Sequence, residues 1–309
     1  MPESNVRQAM RPASGRFLQN NNGTAPGLFA TLGKTDVIAL PGPPRELVPM
    51  LAEVLDSLDA GSAAMRVHIV RACGLGESAA AERIAGLMSR DAEPQLGITV
   101  SDSILAARIR ARDERTTDAE LDAVAEEVRK AWHPWVFGEG EMTLQESCAE
   151  LFSSRGLSIA TAESCTGGLI GGMLTDVPGS SAWYRGGWIT YENSRKHEDL
   201  GVPMATLQKE GAVSEATACA MAQGAAQRAN TEYAISTTGI AGPDGGSEEK
   251  PVGTVWIGFA SPSGTHALKF RFPGERAIVR DRTAKAGLQY VRFLLQGVSA
   301  PLLWQESRS

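Results

Sequence analysis

Hydrophobic residues recur along the chain with spacings that predict strands and helices in three successive stretches. The order is clearest in residues 66–137, where one stripe (Leu121, Val124, Ala125, Val128) runs along a helix that Thr117-x-x-Glu120 opens as a capping box. The predicted order βαββαβ is typical of the ferredoxin-like, or split βαβ, domain. The elements predicted here are Arg66–Cys73, Glu77–Met88, Ile98–Val100, Ile104–Arg112, Thr117–Trp132 and His133–Phe137.

Residues 142–297 form a second stretch, in which helices alternate with strands. This alternation indicates a layered α/β domain. Residues 138–141 are the predicted linker to it, and residues 298–309 are a tail that we expect to be mobile. The elements predicted here are a helix capped by Thr143, strand Ser158–Ala162, a helix from Thr166, strand Gly187–Tyr191, a helix from Ser214, strands Tyr233–Thr237, Gly253–Ala260 and Thr265–Phe272, and a last helix carrying Ala284, Leu288, Val291 and Leu295.

Residues 1–60 are rich in turn formers and predict only two elements. Asp36–Leu40 is predicted as a short buried strand and Glu46–Leu58 as a helix. One strand and one helix cannot enclose a core, so this segment is interpreted as part of a domain. The fold class predicted for the whole chain is therefore α/β, of the α+β multidomain kind.

Composition narrows the classes of function. The 309 residues carry a net charge of -6 without a basic block, which argues against nucleic-acid binding. No apolar run reaches the ~18 residues of a membrane helix, and the N-terminus lacks the apolar region of a signal peptide, so a cytoplasmic protein is expected. The scattered cysteines and histidines predict neither a disulfide scaffold nor a metal site.

Four polar clusters in residues 142–297 concentrate the candidate chemistry. They are residues 161–168, 178–183, 191–196 and 237–254. The first falls where a strand ends and a helix begins, a place whose free N–H groups favour an anion or a developing oxyanion. The alternative is that Ser164 or Thr166 only caps the helix.

A serine nucleophile needs a base, and no histidine lies inside these clusters. A lysine can serve if burial or a neighbouring cation lowers its pKa, so a serine–lysine pair is predicted. The alternative for Lys196 is a solvated surface lysine. Ser247-x-x-Lys250 is a poor pair, because Glu248 and Glu249 would keep that lysine charged. Arg276 precedes the last helix and could bind a phosphate, the alternative being a surface ion pair.

Taken together, the clusters resemble a known family. TAESCTGG (161–168), VPGSSAWYRGG (177–187), TYEN (190–193), GAVSE (211–215), TTGIAGPDGGSEEKPVGTV (237–255) and FPGER (272–276) resemble the C-terminal domain of the competence-damage family CinA over residues 142–297. The resemblance implies a homo-oligomeric (dimeric) nicotinamide-nucleotide amidohydrolase, which converts nicotinamide mononucleotide to nicotinate mononucleotide and ammonia without a metal or cofactor. It implies Ser181 as nucleophile, Lys196 as general base, Tyr191 and Ser164 as supporting residues, and Thr166, Gly167, Gly239, Gly242 and Arg276 as substrate-binding residues.

The resemblance extends upstream of residue 142. NNNGTAPG (20–27) and LPGPPRE (40–46) resemble the end of the family's molybdopterin-binding-like N-terminal domain, and GLGES (74–78) the start of its middle domain. The opening half of the N-terminal domain has no counterpart here. Two alternative functions remain: a metal-dependent ADP-ribose pyrophosphatase, which the family links to that domain and which the truncation predicts to be lost, and a nucleotide-binding protein without catalysis.

Overall fold

The computed structural model describes residues 11–57, 66–112 and 114–307, and the chain divides into two compact units at residue 64. The first unit contains strands β1 (Gly15–Leu18), β2 (Gly27–Leu32) and β3 (Thr35–Ala39) and helix α1 (Pro44–Ser57). The strands form an antiparallel sheet in the order β1-β2-β3, with Leu18, Met50 and Val54 as its core. The strand predicted as buried is β3, which is instead a mostly exposed edge strand. Leu58, the predicted helix end, lies outside the described residues.

The second unit begins with the predicted βαββαβ order. Its elements are β4 (Val67–Cys73), α2 (Glu77–Arg83), β5 (Gln95–Ser101), β6 (Ile104–Arg110), α3 (Asp118–Trp132) and β7 (Val136–Glu139). The sheet order β5-β6-β4-β7, antiparallel throughout, is that of a ferredoxin-like domain. The capping box of Thr117 and Glu120 is present. The last strand starts only at Val136, because Pro134 has no N–H and the Trp135 N–H bonds back to the Trp132 carbonyl.

The rest of the second unit is a layered α/β arrangement. Its elements are α4 (Leu144–Arg155), β8 (Ile159–Glu163), α5 (Leu169–Thr175), β9 (Tyr184–Ile189), α6 (Asn193–Leu200), α7 (Met204–Lys209), α8 (Glu215–Ala229), β10 (Tyr233–Gly239), β11 (Thr254–Ser261), β12 (Gly264–Arg271) and α9 (Arg276–Gln296). Helices α6 and α7 were not predicted. The sequence of α6, NSRKHEDL, is polar except for Leu200 and gives no apolar period.

The order of this sheet, β12-β11-β10-β8-β9, places β8 between two parallel neighbours. The chain leaves β8 for β9 on one side and later returns to β10 on the other. The carboxyl ends of these three strands therefore meet at a topological switch point, the usual place for a ligand crevice in open α/β sheets. The 240–253 loop and the start of α9 lie at the same edge, since β11 begins there and β12 ends there.

Helix α9 joins the two sheets of the second unit. Its Gln289 side chain donates to the Trp135 carbonyl, and the Arg292 guanidinium donates to Val136 of β7 and to Ser147 of α4. Buried hydrophobic residues from both sheets belong to one continuous cluster. A second cluster packs α8 on β8 and β10. Residues 66–137 and 142–297 are therefore packed on a shared core rather than on separate ones.

The C-terminal tail was predicted to be mobile, and this prediction is wrong as far as Ser307. The Trp304 carbonyl accepts from Arg271 of the edge strand β12, and the Leu303 N–H donates to the Gly74 carbonyl. Leu302 is buried against Gly74. The tail covers part of the open sheet edge and ties it to the start of α2.

No helix in the described part of the chain is both long and apolar enough to cross a membrane.

The close approach of α8 to α6 predicts one position where alanine is harmful in a helix. A methyl group at Gly224 would lie 2.0 Å from the Leu200 carbonyl oxygen, so Gly224→Ala must push α6 away. We expect a loss of about 1–3 kcal/mol in the free energy of unfolding, measured by urea denaturation. Gly172→Ala is the control, because its methyl group would meet nothing within 4 Å, and it should stabilise by about 0.5–1 kcal/mol. Equal effects of the two substitutions would contradict the packing argument.

Candidate functional site

The carboxyl ends of β8 and β9 bring a serine and a lysine into contact. Ser164 directly follows β8, and Lys196 lies on α6, which starts soon after β9. The Lys196 Nζ lies 3.2 Å from the Ser164 Oγ. Both side chains are buried, with 1% of Lys196 and 8% of Ser164 exposed. Lys196 is therefore not the solvated surface lysine that the sequence left open as an alternative.

Burial acts on the protonation of the Lys196 amine. Burial lowers the pKa of Lys196 below its ordinary value. Besides Ser164, the Nζ donates to the backbone carbonyls of Thr190 (2.8 Å) and Tyr191 (3.2 Å). A neutral amine has two hydrogens and one lone pair. The two carbonyls can only accept, so they take the hydrogens, and the lone pair is left for the Ser164 hydroxyl.

The turn after β8 is held by Glu163, which sequence reasoning did not single out. Its carboxylate is buried and accepts the N–H groups of Gly168 (3.0 Å), Ile170 (3.1 Å) and Gly171 (2.8 Å). These are the first N–H groups of α5. The capping role therefore belongs to Glu163, and neither Ser164 nor Thr166 serves as the N-cap of this helix. The sequence signal that could have identified Glu163 is an acidic residue at the end of a buried strand.

Strand β10 fixes the other side of the same turn. The Thr237 carbonyl accepts the Ser164 N–H at 2.9 Å, and the hydroxyls of Thr237 and Thr166 lie 2.6 Å apart. Thr166 is completely buried in this contact. Burial raises the pKa of the neighbouring Cys165 to about 12, so its thiol stays protonated and does not compete as a nucleophile.

An arginine-lined cavity of about 750 Å³ opens at the same edge, between the 240–253 loop and the start of α9. Arg276 donates to the Gly242 carbonyl (3.0 Å) and to the Tyr191 hydroxyl (3.2 Å), so it is not engaged in the surface ion pair considered as its alternative. Arg280, a residue missed from the sequence, also lines the cavity and donates to the Thr166 carbonyl at 2.7 Å. Tyr191 connects the two parts: its carbonyl contacts Lys196 and its hydroxyl contacts Arg276.

Ser181, the serine that the family resemblance paired with Lys196, is not placed beside it. It lies in the exposed turn Ser180–Ala182 that precedes β9. Two residues after Ser181, the Trp183 carbonyl accepts a hydrogen bond from the N–H of Ile159, at the start of β8. Ser164, in contrast, follows the end of β8. Ser181 and Ser164 therefore lie toward opposite ends of β8, whose length is about 13 Å because each strand residue advances about 3.3 Å. The structure gives Lys196 a different serine partner.

Three further residues singled out from the sequence are Gly239, Gly167 and Lys250. A methyl group at Gly239 would lie 2.7 Å from Val255, so glycine is required there by the packing of β10 on β11. Gly167 faces the Arg280 guanidinium. The ammonium of Lys250 donates to the Glu210 carbonyl at 3.2 Å rather than to Ser247, in keeping with the poor pair inferred from the sequence. Among the described residues, no group of three or more His, Cys, Asp or Glu side chains is placed to hold a metal.

This geometry defines the class of protein. It is a mixed α/β protein with a buried serine–lysine pair at the topological switch point of its sheet. A family model described as the CinA C-terminal domain matches residues 141–295, and one described as the KH domain of the damage-inducible protein CinA matches residues 68–138. A relative from Symbiobacterium thermophilum, named as a competence-damage inducible protein, is 42% identical over 96% of this chain and 74% of its own. The chain belongs to the CinA family, as the sequence motifs indicated.

A second relative supports this assignment. A CinA-like protein from Dictyoglomus thermophilum is 37% identical over 94% of this chain and 72% of its own length. Among solved structures, the competence/damage inducible protein CihA from Agrobacterium tumefaciens is 41% identical, with 50% of this chain and 95% of that chain covered and a TM-score of 0.47.

The lowered pKa of Lys196 predicts how stability depends on pH. Between the lowered pKa in the folded chain and about 10.4 in the unfolded chain, the unfolded state binds more protons, so the free energy of unfolding rises with pH. Lys196→Met lacks this contribution. In this interval, the free energy of unfolding of wild type should therefore increase relative to that of Lys196→Met by up to about 1.4 kcal/mol per pH unit. Denaturant unfolding at several pH values measures this difference.

Lys209→Met provides the control for this series, because the Lys209 side chain is 84% exposed. Its difference from wild type should not change with pH. The same pH dependence in both variants would contradict a lowered pKa at Lys196.

Proposed function

We propose that this chain hydrolyses the carboxamide of nicotinamide mononucleotide to nicotinate mononucleotide and ammonia, with Ser164 as nucleophile and Lys196 as general base. The observation that carries the proposal is the buried Lys196 amine, whose two carbonyl partners leave its lone pair for the Ser164 hydroxyl. The family resemblance supports the substrate and the reaction. The geometry favours Ser164 over Ser181 for the nucleophilic role.

In the first half of the reaction, the Ser164 Oγ attacks the carbon of the carboxamide and its proton passes to the Lys196 Nζ. The ammonium formed there is stabilised by the carbonyls of Thr190 and Tyr191, which already point at it. The tetrahedral intermediate then expels its nitrogen, which takes the proton from Lys196 and leaves as ammonia. The product is an ester between Ser164 and the nicotinate carbonyl.

In the second half, a water molecule attacks the ester carbon and Lys196 again accepts the proton. Collapse of the intermediate returns that proton to the Ser164 oxygen and releases the carboxylic acid. Both halves need Lys196 neutral at the start, and burial acts in this direction by lowering its pKa. The turnover rate is therefore expected to rise with pH through the lowered pKa and then to level off.

The arginine-lined cavity suits the 5′-phosphate of the substrate. Arg276 uses one N–H for Gly242 and one for Tyr191, so three of its five donors remain. Arg280 stands one helical turn along α9, and the first N–H groups of this long helix favour an anion. Glu275 also lines the cavity and weakens its positive field. Thr166, Gly167, Gly239 and Gly242 are the further substrate-binding residues of this proposal, and a homo-oligomer is an expectation from the family.

Exchanging the two candidate serines tests the nucleophile. Ser164→Ala should reduce turnover by at least about a thousandfold, because the reaction then lacks its attacking group, whereas Ser181→Ala should stay close to wild type. Lys196→Ala should be about as inactive as Ser164→Ala, and the double variant no worse, since residues that act as a unit are not additive. The measurement is ammonia release from nicotinamide mononucleotide.

The same assay separates the alternatives. Loss of activity in Ser181→Ala with normal activity in Ser164→Ala would overturn the assignment. Binding of the nucleotide by wild type without ammonia release would favour the non-catalytic alternative, and metal-dependent cleavage of ADP-ribose by this chain would revive the pyrophosphatase alternative.

Removing the Arg276 side chain tests the phosphate site. A charge-assisted contact contributes about 1.5–3 kcal/mol, so Arg276→Ala should raise KM for the nucleotide roughly 10- to 150-fold with a smaller change in kcat. The dephosphorylated riboside should already be a poor substrate and should be little affected. Arg185→Ala, an exposed arginine near Ser181, is the control and should change neither constant. An equal loss on nucleotide and riboside would show that Arg276 does not bind the phosphate.

A further inference from the structure

One arginine outside the cavity, Arg282 of α9, contacts three segments that are distant in sequence. Its Nη1 donates to the Pro273 carbonyl, its Nε donates to the Ser103 Oγ (3.3 Å), and its guanidinium carbon lies 4.2 Å from the centre of the Trp304 ring. The side chain is half-buried in these contacts. An arginine in this arrangement fixes the relative positions of the three segments, because its planar guanidinium group donates hydrogen bonds in several directions at once.

The first segment is the tip of the β5–β6 hairpin, from the ferredoxin-like sheet. Asp102 and Ser103 both have positive φ values, 49° and 64°, and form the tight turn of this hairpin. A second contact holds the tip in place, because the Lys285 Nζ donates to the Asp102 carbonyl at 2.6 Å. The hairpin tip is thus attached to α9 on successive turns of the helix.

The second segment is the C-terminal tail. The rings of Trp304 and Phe272 pack together with centroids 6.0 Å apart. The backbone carbonyl of Trp304 accepts a hydrogen bond from the Arg271 N–H. The ring therefore supports the guanidinium of Arg282 from a fixed position. A cation above an aromatic face contributes about 0.5–2 kcal/mol, depending on its exposure.

The third segment, the Pro273–Gly274 turn, leads directly into the arginine-lined cavity. Gly274 and Arg276 both line that cavity. Gly274 has a φ of 111°, and a methyl group built on it would lie 3.7 Å from the Arg282 Nη1. The Arg282 bond to Pro273 thus holds the backbone from which Arg276 reaches Gly242 and Tyr191.

We propose that Arg282 is a positioning residue for the substrate-binding Arg276, through which the β5–β6 hairpin and the tail set the affinity of the site for the phosphate of its substrate. This inference rests on the function proposed above. It assigns the ferredoxin-like sheet a part in substrate binding, although that sheet contributes no residue to the cavity described here.

The kinetic test compares three arginine variants of the full chain. Arg282→Ala should raise KM for nicotinamide mononucleotide roughly 3- to 30-fold and leave kcat within about twofold, because the reacting groups are untouched. Arg282→Lys, which can still reach one partner, should recover part of the loss. Arg155→Ala is the matched control: it removes an arginine–carbonyl bond at the opposite end of α9, to Leu295, and should leave KM unchanged.

A double variant shows whether Arg282 acts through Arg276. In the Arg276→Ala background, Arg282→Ala should change KM by less than about twofold, since the residue it positions is gone. Independent effects that multiply in the double variant would overturn the proposal. So would parallel losses of kcat and thermal stability in Arg282→Ala and Arg155→Ala without a change in KM, because these indicate a structural role alone.

A readout without turnover separates this proposal from the proposed function. Hydrogen–deuterium exchange of a peptide covering residues 270–278 should be faster in Arg282→Ala than in wild type and unchanged in Arg155→Ala. If wild type releases no ammonia, the proposed function fails, and exchange together with calorimetric binding of nicotinamide mononucleotide still tests the positioning role. Unchanged exchange in Arg282→Ala would overturn it.

Discussion

A lysine amine that is removed from water must find acceptors, and the arrangement around Lys196 follows from this requirement. Its partners come from the ends of two neighbouring parallel strands: the hydroxyl of Ser164 after β8, and the carbonyls of Thr190 and Tyr191 after β9. Helix α6 must begin within a few residues of β9 for its lysine to reach back to them. The close packing of α6 on α8, where only glycine fits at position 224, keeps the lysine there.

The serine side of the pair is held as firmly by other backbone contacts. Glu163 occupies the N–H groups at the start of α5, and Thr237 accepts the Ser164 N–H from the neighbouring strand. These contacts leave the turn little freedom, so the Ser164 hydroxyl stays within reach of Lys196 without a ligand. For the reaction proposed above, such a preformed geometry lowers the cost of reaching the transition state, because few groups need to reorient.

The arginine-lined cavity is built differently. Arg276 is anchored through a turn and a glycine-rich loop rather than through strand ends, and its position depends on side chains that come from elsewhere in the second unit. Helix α9 carries Arg276 near its start and Arg292, which bonds to the ferredoxin-like sheet, near its end. A shared core therefore gives that sheet a mechanical connection to the site. In this respect the sheet and the C-terminal domain act as one folded body.

The sequence by itself determined the fold class, the family and the order of most elements, because these depend on local periodicity, capping and motif. It did not predict β1, β2, α6 or α7. It indicated a serine–lysine pair but not which serine, since Ser164 and Ser181 lie in equally polar, glycine-flanked segments. Only the tertiary structure brings Ser164, at the end of β8, into contact with Lys196, and the parallel register of β8 and β9 places the Ser181 turn toward the start of β8. The tail was expected to be mobile because it is a chain terminus, and this was wrong as well. Its contacts with Gly74 and Arg271 are long-range, and such contacts depend on the packing of distant segments, which local sequence does not encode.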